Sequence, residues 1–396
     1  MKVISTIIGM GLIFLTGCVT LDNTMGKESN VIVEEKILSL SERKMTKGVL
    51  VDSGLEQKIG QMLMIGFFGT SARPGSQICH DIQDYNLGGV ILFDFNPIDR
   101  NKAKNIESKG QLAQLTKELQ ACSPKGDLLI AVDQEGGRVQ RLKEKYGFYG
   151  KFPKAADVVE RGEKYAHKTY AHMGKELHSV GINFDLAPVV DLSINPKNVV
   201  INKLGRSYGK DPNKVVEYAS IFMSEMHSNH VLTSVKHFPG HGSSVGDTHK
   251  GFVDVTNDWQ EKELEPYKVL IGRGTIDTIM VAHVFNKNLD EKYPASLSFK
   301  TITKKLRNEM GYSGVVITDD LQMNAIDTKY GLSETLHLAI NAGDDILLFG
   351  NQLNPSDVLT ANELVSEIMN LIDKGAIDRA TIEKAYTRIK RLKNKF

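Results

Sequence analysis

Cysteine is scarce: 396 residues contain three, Cys18, Cys79 and Cys122. None of them stands at metal-ligand spacing, so a cysteine metal centre is excluded, and Cys79 and Cys122 are expected as free thiols. An excess of charge of either sign is also missing. Lys plus Arg (49) nearly balances Asp plus Glu (48), which leaves no basic surface for nucleic acid or for an anionic membrane. The partner to look for is a small molecule or a polysaccharide, and no protein partner is evident. The N-terminal apolar stretch, Val3 to Leu15, is too short to span a bilayer as an uncleaved helix.

What is there begins with that stretch. Lys2, the apolar run and Leu15-Thr16-Gly17-Cys18 read as a secretory signal whose end resembles the bacterial lipobox. Residues 1–17 are then a lipoprotein signal peptide. Cys18 is the lipidated first residue of the mature chain, which is exported and held at the envelope by its acyl chains. Residues 18–54, rich in Lys, Glu, Ser and Asn, form a polar linker with one helix expected around Glu34 to Lys44.

Beyond residue 55 apolar runs of strand length recur eight times: Met62 to Ile65, Gly89 to Phe93, Leu128 to Val132, Asn183 to Ala187, Thr233 to Val235, Thr278 to Ala282, Gly314 to Ile317 and Asp345 to Phe349. Segments of helical period lie between them, at Gly110 to Leu119, Ala166 to His178, Asn213 to His227 and Glu334 to Asn341. Strand alternates with helix, and continuous apolar runs suit strands buried on both faces of a parallel sheet. Polar residues crowd one end of these runs: Asp133, Asp191, Lys236 with His237, His283, and Asp319 with Asp320. That pattern favours a closed, TIM-like (β/α)8 barrel, whose strands converge on one mouth, over an open doubly wound sheet. The segment from Asn354 to Phe396 reads as two helices closing the barrel.

Asp319 directly follows Val315-Val316-Ile317-Thr318 and is a candidate nucleophile, with Asp320 left to cap the helix that follows. In Lys236-His237-Phe238-Pro239-Gly240-His241-Gly242, Pro239 and Gly240 deny the two histidines a helix, so a helical metal pair fails. Lys236 and His237 are instead expected to donate to ligand hydroxyls, the glycines letting the backbone approach the ligand. Asp247, two residues before His249, can fix the tautomer of that imidazole and make it a general acid/base.

Taken together, Val132-Asp133-Gln134-Glu135-Gly136-Gly137-Arg138-Val139-Gln140-Arg141-Leu142, Ala187-Pro188-Val189-Val190-Asp191, Gly205-Arg206-Ser207-Tyr208-Gly209, the Lys236 to Gly242 run with Asp247 and His249, Ala282-His283, Pro294-Ala295-Ser296-Leu297-Ser298 and Thr318-Asp319-Asp320-Leu321 resemble glycoside hydrolase family 3, and within it the β-N-acetylglucosaminidases. The resemblance runs from Leu55 to the C-terminus and implies one catalytic barrel over residues 55–396. It implies Asp319 as nucleophile and His249 with Asp247 as acid/base. By the same resemblance Asp133, Arg141, Arg206, Lys236 and His237 bind the N-acetylglucosamine ring, while Glu135 and Arg138 are an alternative internal ion pair. The implied reaction is double displacement with retention and needs no metal or organic cofactor. Single-domain relatives are commonly cytoplasmic recycling enzymes, whereas the lipobox favours work on peptidoglycan or amino-sugar chains at the envelope. The alternatives are a β-glucosidase or phosphorylase of the same family, a metallohydrolase using Asp133, His237, His249, His283 and Asp319, and a sugar-binding lipoprotein.

Overall fold

The computed structural model describes residues 43–46, 49–99, 101–353 and 358–395. The signal peptide, Cys18 and most of the linker lie outside them. Of residues 1–54, the described segments Arg43–Thr46 and Val49–Asp52 pair antiparallel with Arg43 opposite Asp52. Arg43 and Lys44, placed in the expected linker helix, are therefore strand; the rest of that helix falls outside the described residues.

In residues 55–396 the apolar runs become eight strands: β1 Leu63–Gly66, β2 Gly89–Ile91, β3 Leu129–Val132, β4 Phe184–Asp185, β5 Leu232–Phe238, β6 Thr278–Val281, β7 Val315–Thr318 and β8 Leu347–Phe349. Every neighbouring pair is parallel, from Met64 opposite Gly89 round to Val315 opposite Thr278, and β8 pairs with β1 through Leu347 and Leu63. A bridge between Ile317 and Ile346 joins β7 to β8, so the eight form a ring. All residues of these strands are buried, as strands covered outside by helices and filled inside by side chains must be.

The helical cover follows the predicted alternation: α1 Ser53–Gln61, α2 Gln77–Tyr85, α3 Lys109–Cys122, α4 Ala155–Arg161, α5 Glu163–Ser179, α6 Pro212–His227, α7 Glu265–Arg273, the wide π-type helix α8 Lys300–Glu309, α9 Leu332–Ala342, α10 Ala361–Asp373 and α11 Arg379–Lys393. Their starts are written locally. Ser108 and Gln111 form a capping box on α3, Thr360 and Glu363 one on α10, and Asp211 with Pro212 opens α6. Each cap is worth about 1 kcal/mol. Burial of Leu364, Val365, Ile368, Leu371 and Ile372 along α10, at roughly 1.5–3 kcal/mol apiece, outweighs it and docks the helix.

One expectation fails in this layer. Cys79 on α2 and Cys122 at the end of α3 are not free thiols but a disulfide, with their Cα atoms 5.3 Å apart. Packing of two consecutive barrel helices sets that proximity, and a spacing of 43 residues carries no sign of it.

Candidate active site

At the C-terminal ends of the strands lies a cavity of about 460 Å³ whose lining includes Asp133, Glu135, Arg141, Arg206, Lys236, His237, His241, Asp247, His249 and Asp319. Every sequence-predicted catalytic and sugar-binding residue thus faces one space.

Its floor is a charge network assembled from the ends of three consecutive strands. Lys236 Nζ, on β5, donates to Asp133 Oδ1 and sits against Glu135 Oε1, both at 2.8 Å. Arg206 holds Glu135 with two parallel bonds of 2.7 Å, and Arg141 Nη2 donates to Asp133 Oδ2 at 3.1 Å. Glu135 therefore pairs with Arg206 and Lys236 rather than with Arg138. Burial opposes charge on both carboxyls, but Lys236 and Arg141 hold Asp133 below its ordinary value, and Arg206 and Lys236 hold Glu135 far below its own. Below them on β4, Asp185 has no cation in hydrogen-bond reach among the described residues; burial pushes it up to about 8, so it is carried neutral and accepts the Gln134 N–H at 2.9 Å. The Gln134 side chain in turn accepts from the backbone of Arg141 and Leu142, fixing the strap that carries Arg141.

His237 is oriented from behind. Its Nδ1 donates to Asp191 Oδ2 at 2.6 Å, which leaves Nε2 on the cavity side, 3.5 Å from Arg206 Nη2. Asp191 also accepts from the backbone N–H groups of His237 and His241. The peptide between Lys236 and His237 is cis, as are those before Pro188 and Pro239. Gly242 serves packing and not ligand approach, because a Cβ there would lie 1.7 Å from the Leu192 carbonyl oxygen. His241 is buried beside it, with burial and the neighbouring His237 bringing it down to about 4.

Asp319 follows β7 directly. Its N–H donates to the Val281 carbonyl of β6 at 3.0 Å, and its Oδ1 accepts from the Asp320 N–H at 2.9 Å. Burial works against its charge. The imidazoles of His283, His237 and His249 and the Asp320 N–H outweigh it and hold the carboxyl below its ordinary value, so a charged oxygen faces the cavity near neutral pH. Asp320 is not the helix cap expected of it. It accepts from Gln322 N–H and from Gly350 N–H at 3.0 Å, stapling β7 to β8, and burial pushes it up to about 6. His283 donates from Nε2 to the Asp320 carbonyl, which leaves Nδ1 to accept from the Ser296 hydroxyl. Both its nitrogens are thereby committed to the protein, and among the described residues no three His, Cys, Asp or Glu side chains are arranged to hold a metal ion.

His249 comes from the long loop after β5. Asp247 Oδ1 accepts its backbone N–H at 3.0 Å and its Nδ1 at 2.9 Å, so the ring is turned with Nε2 outward. Although partial burial resists it, these bonds keep the Asp247 carboxyl below its ordinary value. The His249 side chain is 55% exposed, against 21% for Asp247. An ionised carboxylate on a rigid strand end and a solvent-reaching imidazole thus share one cavity, the pair of groups needed to attack an acetal carbon and to protonate its leaving oxygen.

Sequence reading left three participants without a role: Asp191, Asp185 and Gln134. Asp191 stands at a strand end in the sequence, but its task depends on contact with residues 46 and 50 positions away. Asp185 carried the one visible signal, a carboxylate inside an apolar strand run.

Residues 54–392 match the glycosyl hydrolase family 3 N terminal domain. The chain is 31% identical over 374 residues to beta-hexosaminidase A of Pseudoalteromonas piscicida, covering 86% of this chain and 61% of that one. It is 35% identical over 273 residues to the beta-hexosaminidase of Photobacterium profundum, covering 68% and 76%. A solved glycoside hydrolase family 3 beta-N-acetylglucosaminidase from Paenibacillus sp. str. FPU-7 superposes with a TM-score of 0.76 at 33% identity, over 86% of this chain and 62% of that one. The chain therefore spans less than two thirds of the first and the third of these proteins.

Proposed function

The chain belongs to glycosyl hydrolase family 3, and on that footing we propose that it is a retaining exo-β-N-acetylglucosaminidase acting on peptidoglycan fragments or amino-sugar oligosaccharides. One observation carries the reading: Asp319, ionised and fixed by two strands, lines the same cavity as the Asp247–His249 pair. The terminal sugar sits on the floor, where Asp133 accepts from its hydroxyls and the surrounding cations hold that carboxylate charged. Asp319 attacks the anomeric carbon while His249 protonates the departing oxygen. The bond to the leaving group breaks as the bond to Asp319 forms. His249, now neutral, takes a proton from water, which displaces Asp319 and restores both groups.

The test is the order of anomers. Proton NMR of turnover should show the β-anomer of N-acetylglucosamine first, a 2-fluoro glycoside should label Asp319, and Asp319→Asn should abolish turnover while sugar binding persists. The α-anomer first, or labelling at another carboxylate, would overturn the assignment.

The proposal extends to place. Cys18 carries the lipid, and the barrel works at the envelope. Support comes from the apolar stretch before Leu15-Thr16-Gly17-Cys18 and from the Cys79–Cys122 bond, a linkage that persists in oxidising compartments and is rare in the cytosol. Cys18→Ala should move the protein from the membrane to the soluble fraction with its specific activity intact; membrane association that survives the substitution would refute the anchor.

A further inference from the structure

The cavity changes character from floor to mouth. Of its lining residues only Phe95, Val199, His249 and Leu353 are exposed. Three of these four carry nothing but hydrocarbon, exposed to 44%, 38% and 44% in chain order. They come from different loops, Phe95 after β2, Val199 after β4 and Leu353 after β8.

Two of those loops are bolted together. Lys104 Nζ, fully buried, donates to the carbonyls of Gly350 and Asn351 at 3.0 and 2.5 Å and to Gln352 Oε1 at 2.9 Å, which uses all three of its N–H groups. The ammonium also lies 4.6 Å from the ring centres of both Phe68 and Phe93. Gln352 then donates from Nε2 to the Phe95 carbonyl at 2.9 Å. Phe95 and Leu353 are thus held on a braced platform and not on independent loops.

The exposed lining marks the opening of the cavity, so the group attached to a sugar seated on the floor with its anomeric carbon at Asp319 leaves past these side chains. We propose that Phe95, Val199 and Leu353 form the leaving-group subsite and grip the second pyranose ring of a β-linked chain by its C–H faces. A β-linked pyranose in its chair form presents axial hydrogens on either face, and covering them with an aromatic or aliphatic side chain removes apolar area from water without asking for a new hydrogen bond. This subsite sets preference among leaving groups, while the floor sets which sugar is removed.

The inference rests on the glycosidase reading and is tested beside it. The substrates are β-N-acetylglucosaminyl fluoride, whose leaving atom is too small to reach the mouth, and the two disaccharides in which β-1,4-linked N-acetylglucosamine precedes either N-acetylglucosamine or N-acetylmuramic acid. In the double variant Phe95→Ala/Leu353→Ala, which truncates exposed side chains only, the ratio of kcat/KM on either disaccharide to that on the fluoride should fall about tenfold. Calorimetry in the Asp319→Asn background gives a second readout that needs no turnover: the affinity gained by adding the second ring should shrink by a similar factor. An unchanged ratio with unchanged disaccharide affinity would overturn the subsite. A native protein that leaves the fluoride intact would remove the glycosidase reading alone, since the calorimetric comparison still decides the subsite.

Discussion

The floor of the cavity and the loop that carries His249 solve opposite problems. On the floor, Glu135 and Lys236 are buried and Asp133 and Arg206 partly so; they come from residues 133 to 236 and neutralise one another across three strand ends. In the loop, Asp247 and His249 are two residues apart, half in water, and make their pair without help from another strand. The floor buys rigidity with buried charge. Its members must all be present, because a buried ion stripped of its partner costs more than the pair contributes. The loop gives up rigidity for access, which the proposed acid/base would need in order to exchange a proton with the leaving oxygen and then with water. On the proposed mechanism binding and proton transfer are carried by different regions, and substitutions should separate them.

The largest effect should come from the loop, and on rate alone. His249→Ala should lower kcat on substrates with poor leaving groups by roughly 10²–10⁴-fold, and far less on an activated aryl glycoside, with azide restoring the rate. Because the side chain is 55% exposed, unfolding free energy should stay within about 0.5 kcal/mol. Equal loss on every leaving group, without rescue, would move the acid elsewhere.

Glu135→Gln should do the reverse. It leaves Arg206 and Lys236 sharing one fewer carboxylate, so denaturant titration should show a loss of about 3–5 kcal/mol, accompanied by weaker sugar binding. A variant as stable as the native chain would mean the network is not the unit described. Removing the disulfide with Cys79→Ser/Cys122→Ser touches neither region; it should cost about 2–4 kcal/mol of stability and leave kcat and KM at their native values once the protein is folded. A change in KM would show that the α2–α3 layer reaches the floor. Smallest is Asp247→Asn, where the amide oxygen can still accept from Nδ1. A tenfold fall in kcat or somewhat more is expected, on the same substrates that His249→Ala harms and with no loss of stability; a fall as deep as that of His249→Ala would make the carboxylate charge itself essential.

Much of this is legible in the sequence. Strands buried on both faces must be apolar throughout, so the eight runs stood out, and a residue such as Asp319 just past one of them has its direction set by the strand. The Asp247–His249 pair was legible because it is local. Long-range pairing was not. Glu135 lies three residues from Arg138 yet bonds Arg206, 71 positions on; Asp320 has the look of a helix cap but its partner is Gly350; and Cys79 meets Cys122 only because two helices pack. Each of these partners lies dozens of positions away in the chain, and only tertiary packing brings it into reach.

The staple between β7 and β8 ties the surroundings of Asp319 to the closure of the ring. Asp320 accepts from Gly350, Leu321 donates to the Leu348 carbonyl, and Leu348 donates to the Thr318 hydroxyl. The segment on either side of Asp319 is thus braced by residues made some thirty positions later. Pairing of β7 with β6 gives Asp319 its direction, and the contacts from the eighth strand hold the residues on either side of it in place. An incomplete barrel would therefore carry the proposed nucleophile on a segment secured from one side only.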